Sequence, residues 1–302
     1  MPLPYRWQLR VQRWKSALRG FSGDSQEQPR PKLCPACGTL VGISAKRCHE
    51  CGTSLRFSVA AASRTLSAIF GERAPVTTIL LFANIFMFAV CWLSTVSSGQ
   101  GGGLSILWGT NGQTLLKLGA SRPELIFDEH QWYRLVTAMF LHSGLIHIAF
   151  NMTSLMNIGP ELEEVYGSAR YLFLYTVTGM AGFLLSAATG HFAVGASTAL
   201  LGMVGALLAI TTKRGGAHIQ QLRSRLITWI ISIFVIGFLM PIIDNWGHFG
   251  GLVAGYALGK LFADRQPMQG PELKRAYLLG WIAGIVILAS FGFMVKDLLM
   301  YY

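Results

Sequence analysis

The sequence predicts an all-α integral membrane protein, with seven membrane-spanning helices behind a small cysteine-built segment. Three observations carry this. Long stretches of the 302-residue chain hold no Asp, Glu, Lys or Arg. The Lys and Arg that are present gather on alternate loops. Two Cys-x-x-Cys-Gly knuckles stand ahead of the first apolar stretch.

The spans come first. Charged residues make up 13% of the chain, about half the usual globular share. The uncharged stretches are Val76–Leu116, Leu135–Pro160, Tyr171–Thr212, Leu226–Ile243, Asn245–Gly259 and Ala276–Val295. A bilayer-crossing helix takes about 20 mostly apolar residues. Tyr171–Thr212 therefore holds two helices with a turn near Gly190–His191, and Val76–Leu116 holds one helix followed by a glycine-rich loop. The expected spans are 76–96, 146–163, 170–189, 196–212, 226–243, 246–263 and 276–296. A single soluble core is excluded, because soluble helices have a polar face and these segments are apolar all round.

The charge pattern orients them. Net charge is +11 with pI near 9.7, yet nucleic-acid binding is not needed to explain it. Of 25 Lys and Arg, 12 precede the first span. Lys213, Arg214, Arg223 and Arg225 lie between spans four and five, and Arg265, Lys274 and Arg275 between six and seven. In the first loop, 97–134, Lys117, Arg122 and Arg134 are balanced by Glu124, Asp128 and Glu129. Seven spans put the basic loops on one face, which the positive-inside rule makes cytoplasmic. The N-terminus is then inside and the C-terminus outside.

Residues 1–33 begin with a basic, aromatic stretch (Arg6, Trp7, Arg10, Arg13, Trp14, Lys15, Arg19) without the apolar core of a signal peptide. It reads equally as an amphipathic segment on an anionic membrane surface or as a disordered, solvated tail; Ser22–Pro31 has linker composition. Residues 34–55 contain Cys34-Pro-Ala-Cys37-Gly and Cys48-His-Glu-Cys51-Gly. Four thiolates in paired knuckles suit a closed, structural Zn²⁺ site, and a cytoplasmic setting argues against disulfides. The pattern resembles the zinc-ribbon modules of many prokaryotic membrane proteins. Residues 56–75 link it to the first span. Cys91 lies within that span and reads as a packing residue.

Polar groups at membrane depth are functional suspects. His142-Ser-Gly-Leu-Ile-His147-Ile-Ala-Phe-Asn151 puts His147 and Asn151 on one helix face, four residues apart; interhelical hydrogen bonding is the structural alternative. Gly195-Ala196-Ser197 opens span four, where a serine commonly caps the helix but also stands beside unpartnered amides suited to an oxyanion. Gly247-His248 begins a stripe, Gly247, Gly251, Gly255 and Gly259, suited to close packing in a membrane. Span four offers a matching small face: Ala199, Gly202, Ala206 and Ala209. If the two faces meet, His248 reaches Ser197, and such contact is the minimal activated nucleophile.

These pieces together resemble the rhomboid family of intramembrane serine proteases, over about residues 76–263: Trp132-Tyr133-Arg134, His142…His147…Asn151, Gly159-Pro-Glu-Leu-Glu163-Glu-Val-Tyr-Gly167, Gly195-Ala196-Ser197 and Gly247-His248. The resemblance implies a rhomboid-like bundle of six core transmembrane helices, with 264–302 adding a loop and a seventh, C-terminal helix. It implies Ser197 as nucleophile and His248 as base, with His147, Asn151 and the Ser197 amide binding the oxyanion. It departs at Thr198, where the family has glycine, and at Leu201, where an aromatic residue often packs on the catalytic histidine.

The implied activity is serine endopeptidase cleavage of transmembrane proteins near the outer face of a prokaryotic plasma membrane. No catalytic cofactor is required; the partners are membrane-protein substrates and the bilayer, not nucleic acid. The alternative is a non-catalytic relative that binds transmembrane clients. A solute transporter would show inverted repeats and helices broken at mid-membrane, and neither is visible. Arg134 and Glu163 read as structural, Trp132 and Tyr166 as interfacial aromatics, and His130, His191 and His218 as loop residues.

Overall fold

A computed structural model describes residues 32–34, 39–42, 45–50, 52, 55, 74–99, 107, 109–240, 242–262, 265–267 and 270–301. The chain forms two compact units, Met1–Ala61 and Ala62–Tyr302.

In the first unit, β1 (Lys32–Leu33) pairs antiparallel with β2 (Leu40–Val41). Beside this pair, at the first cysteine of the first knuckle, the Cys34 amide donates to Thr39 O at 2.7 Å. Cys34, Val41 and Cys48 are buried together, with Ala45 and Leu55 against them. One cysteine from each knuckle thus shares a small core. Cys37 and Cys51 lie outside the described residues, as do 1–31 and the linker 56–73.

The second unit is helical. Its elements are α1 (Pro75–Ser97), α2 (Gly112–Lys117), α3 (Pro123–Phe127), α4 (Arg134–Thr137), a 3-10 turn (Ala138–Phe140), α5 (Leu145–Tyr166), α6 (Ser168–Ala188), α7 (Ser197–Lys213), α8 (Ala217–Leu239), α9 (Asn245–Leu261) and α10 (Gly270–Tyr301). Each of the seven expected spans meets one long helix. By length and hydropathy, α1, α6, α8 and α10 suffice to cross a membrane, and a fifth span arises if Arg134–Phe140 and Leu145–Tyr166, bent by 94°, count as one. α7 is apolar but 17 residues long.

Polarity is arranged for an apolar solvent. The fully buried side chains include Tyr166, Tyr171, Tyr175, Phe140 and Phe183. Polar Asn84, His142, Thr178 and Ser186 are buried too, while apolar Phe238 and Leu239 are 83% and 77% exposed. Hydrocarbon around the bundle makes that exposure costless, whereas in water it would be an aggregation liability. α8 is the extreme case: only Leu226 and Gly237 along it are buried.

Two anchors hold the frame. Glu163 of α5 accepts from Val76 N (2.9 Å), Thr77 N (2.8 Å), Thr77 Oγ1 (2.8 Å) and Ser168 Oγ (2.7 Å). A carboxylate therefore satisfies the opening amides of α1, which begins with a proline and has no capping side chain of its own. Arg134 does the same for the first loop. Its guanidinium donates to Gln131 Oε1 (2.6 Å), Leu116 O (2.8 Å) and Ala120 O (3.0 Å), so the loop folds as α2, α3 and α4 rather than as featureless chain.

The expected glycine seam forms. A methyl group built on Gly255 would strike Gly202 O, and one on Gly259 would lie 2.8 Å from Ala206 Cα and from Ala209 Cβ. α9 thus lies backbone-to-backbone on the small face of α7.

Several expectations are corrected. The fifth span starts at Ala217, not 226, so Arg223 and Arg225 are helical and His218 is not a loop residue. Arg223 turns back to Thr211 O at 2.6 Å, which satisfies its charge on the helix. The last helix runs 270–301 rather than 276–296. Tyr166 is fully buried beside Phe262, ring centroids 6.1 Å apart, and is not an interfacial residue; Trp132 is half exposed. His191 does have a partner, Thr189 Oγ1 at 3.0 Å.

Candidate active site

Ser197 is the first residue of α7, after N-cap Ala196. The amides of Ser197, Thr198 and Ala199 occupy the first turn, where no earlier carbonyl is available to accept them. The segment leading in is fixed on both sides. Ser121 and Ala193 exchange backbone hydrogen bonds of 3.1 Å, and the Gly195 amide donates to Ala138 O at 2.9 Å. Gly195 has φ +124°, a conformation that L residues rarely adopt, so glycine is needed for the chain to turn into the helix.

His248 comes from α9. Asp244 caps that helix, its carboxylate accepting from Gly247 N at 3.0 Å. This gives Asp244 a place at the helix end rather than in the loop before it. His248 follows Gly247 by one residue and is 6% exposed. The glycine seam draws it against α7, where its Nε2 lies 2.8 Å from Ser197 Oγ. Among the described residues its Nδ1 has no hydrogen-bond partner, so the arrangement is a pair and not a triad.

His147 and Asn151 are brought to the same place. They project from the first two turns of α5 toward Gly195: a methyl group built there would lie 2.7 Å from His147 Nε2 and 3.6 Å from Asn151 Nδ2. The absent side chain is what admits both nitrogens beside the backbone, two residues before Ser197. His147 Nδ1 is engaged by Ser143 Oγ at 3.0 Å. With Ser143 as donor, Nε2 carries the proton and points into the site. Asn151 donates to His147 O at 3.1 Å. His142, fully buried, stacks edge-on against His147 with ring centroids 5.1 Å apart.

The arrangement combines a hydroxyl touching an imidazole with two nitrogen donors beside Gly195 and open amides at the start of α7. Such a set can form and stabilise a tetrahedral oxyanion. The five implied groups, Ser197, His248, His147, Asn151 and the Ser197 amide, converge. Two contributors were missed in the sequence. Phe234 of α8 stands edge-on to His248, centroids 6.5 Å apart, so the aromatic neighbour comes from α8 and not from Leu201, which is buried in α7. Ser143, which orients His147, was passed over between two histidines, although its four-residue offset from His147 was readable. No comparable signal pointed to Phe234, one of many aromatics on an apolar helix.

Residues 129–265 match the family model described as the rhomboid domain. The chain is 33% identical over 219 residues, 72% of its length, to the rhomboid protease GluP of Bacillus subtilis, of which it covers 41%. It is 35% identical over 162 residues to RHOMBOID-like protein 1 of Arabidopsis thaliana, covering 53% of this chain and 42% of that one. With rhomboid-type serine protease 2 of Emericella nidulans the identity is 38% over 135 residues, 43% of this chain and 26% of the relative. The chain thus spans less than half the length of each. These likenesses support the rhomboid family and, with the apolar helices, an integral multi-pass membrane protein.

Proposed function

We propose that this chain is a rhomboid-type serine endopeptidase, cleaving transmembrane proteins near the outer membrane face with a Ser197–His248 dyad. The observation that carries the reading is the 2.8 Å contact between Ser197 Oγ and His248 Nε2, made by a buried imidazole whose Nδ1 has no hydrogen-bond partner among the described residues. It is supported by relatives named as rhomboid proteases.

In this reading His248 takes the Ser197 proton as the oxygen attacks the peptide carbonyl, then returns it to the leaving amine. The carbonyl oxygen becomes an anion held by the Ser197 amide, His147 Nε2 and Asn151 Nδ2. Water then attacks the acyl-enzyme with His248 again as base. Because no hydrogen bond among the described residues orients His248 Nδ1, the donors carry a larger share of the rate. The core is six membrane helices, with α10 as a seventh; the N-terminus is cytoplasmic and the C-terminus outside. Cys34, Cys37, Cys48 and Cys51 hold one structural Zn²⁺, which takes no part in the chemistry.

A fluorophosphonate probe on detergent-solubilised protein, paired with cleavage of a transmembrane substrate, tests the dyad. Labelling and cleavage that disappear in Ser197→Ala and in His248→Ala are expected. Labelling that survives Ser197→Ala overturns the nucleophile. A folded wild type that neither labels nor cleaves across several substrates supports instead the non-catalytic relative that binds transmembrane clients.

A further inference from the structure

We propose that Thr198 is a positioning residue of this site, its methyl group acting as a wedge that sets the spacing between Ser197 and His248; the inference rests on the peptidase reading above. Thr198 follows Ser197 and is 2% exposed. Its side chain points into a socket made of glycines. A methyl group built on Gly182 of α6 would lie 2.7 Å from Thr198 Cβ and 3.1 Å from Cγ2. One on Gly247 of α9 would lie 3.0 Å from Cγ2, and one on Gly251 would strike Thr198 O. Three helices therefore meet on this one side chain, and the two helices other than its own lack side chains at the point of contact.

The placement matters because of the neighbours. Thr198 adjoins Ser197 on α7, and Gly247 adjoins His248 on α9. Whatever separates Thr198 from Gly247 also separates the two reacting residues. A β-branched side chain is stiff at χ1, so it makes a firm spacer. Take it away and the glycine-lined socket becomes a void, which neighbours close by shifting. The hydroxyl is not the useful part: among the described residues Thr198 Oγ1 has no hydrogen-bond partner, and a buried unpaired hydroxyl is unfavourable. The methyl group is what fills the socket.

Three substitutions separate shape from hydrogen bonding. Thr198→Val keeps both branches without the hydroxyl, Thr198→Ser keeps the hydroxyl without the methyl, and Thr198→Gly removes both. The fluorophosphonate labelling rate should be retained in Thr198→Val and fall about tenfold or more in Thr198→Ser and Thr198→Gly, since a misplacement of about 1 Å costs up to about 10²-fold. The ¹⁵N signal of the His248 ring, assigned by its loss in His248→Ala, gives a readout independent of turnover. It should report the Ser197 hydrogen bond in wild type and Thr198→Val, and its weakening in the other two. Loss in Thr198→Val with retention in Thr198→Ser would assign the role to the hydroxyl and overturn the wedge, as would equal rates and equal ring signals in all four proteins. Should Thr198→Gly not fold, the Val and Ser variants decide. A wild type that neither labels nor cleaves removes the peptidase reading, while the ring signal still decides the wedge.

Discussion

At the scale of single residues, the proposed chemistry makes unequal demands. Ser197→Ala and His248→Ala should each bring cleavage to background, and the double variant should be no worse, because the two act as one unit. Asn151→Ala should remain measurable, slower by about 10²–10³-fold, or roughly 3–4 kcal/mol of transition-state stabilisation; cleavage kinetics on one substrate compare all four. The base works only when neutral, so the rate should fall toward acid as His248 gains a proton, a direction read from a pH–rate profile. The individual groups of the site were legible in the sequence because each sits in a pattern with a chemical meaning: a serine after a glycine at a helix start, and two donors four residues apart. What was not legible was their support. Phe234 of α8 reaches His248 of the next helix, and no local pattern singles it out from the other aromatics of α8. Thr198 is a departure from the resembled pattern in the sequence, and the space that Gly182 and Gly247 leave for it is visible only in the fold.

At the scale of elements, the junctions are more exacting than the helices they join. Glu163 receives four hydrogen bonds at the start of α1 and the α5–α6 turn. Glu163→Gln turns one acceptor into a donor facing donors, and leaving a buried group unsatisfied costs about 1–3 kcal/mol. Thermal unfolding in detergent should register a lower midpoint, and an unchanged midpoint would show that water replaces the lost acceptor. The seam between α7 and α9 gives a sharper contrast. Gly255→Ala forces a methyl group onto Gly202 O and should destabilise by at least the roughly 1–3 kcal/mol of overpacking. Gly284→Ala and Gly292→Ala on α10 meet nothing within 4 Å and should be neutral or stabilising, since glycine inside a helix costs about 0.5–1 kcal/mol relative to alanine. Helix existence was legible from uncharged runs. Helix ends were not: α8 and α10 begin at Ala217 and Gly270, ahead of Arg223, Arg225, Lys274 and Arg275, which composition assigns to loops. Arg223 of α8 reaches a carbonyl of α7, and Glu272 of α10 pairs with Arg170 of α6 at 2.8 Å, so a charge near the start of each helix is satisfied within helical structure.

At the scale of the whole molecule, the proposed orientation rests on the distribution of Lys and Arg. A reporter fused after residue 218 or 270 should read as cytoplasmic; an external reading at both would reverse the topology. The metal expectation is likewise global. Purified protein should carry one Zn²⁺ per chain by elemental analysis, and a variant with Cys34, Cys37, Cys48 and Cys51 all changed to serine should carry none. Zinc that persists in that variant would remove the ribbon. The membrane class of the fold was plain from composition alone, because hydrocarbon accepts what water rejects. The number of crossings was less plain: α7 is 17 residues long, and a 94° bend separates Arg134–Phe140 from Leu145–Tyr166.

The seam also changes how a saturation-mutagenesis map of this protein would read. Positions 247, 251, 255 and 259, with 202 and 205 opposite, have no room for even a β-carbon against the facing backbone or side chains. Nearly every codon change there should be depleted under selection, as deeply as changes at Ser197 or His248. A ranking by intolerance alone would then place packing glycines among the reacting groups. The two kinds separate once protein abundance is scored beside activity: glycine variants lose both together, and dyad variants lose activity while the folded protein persists.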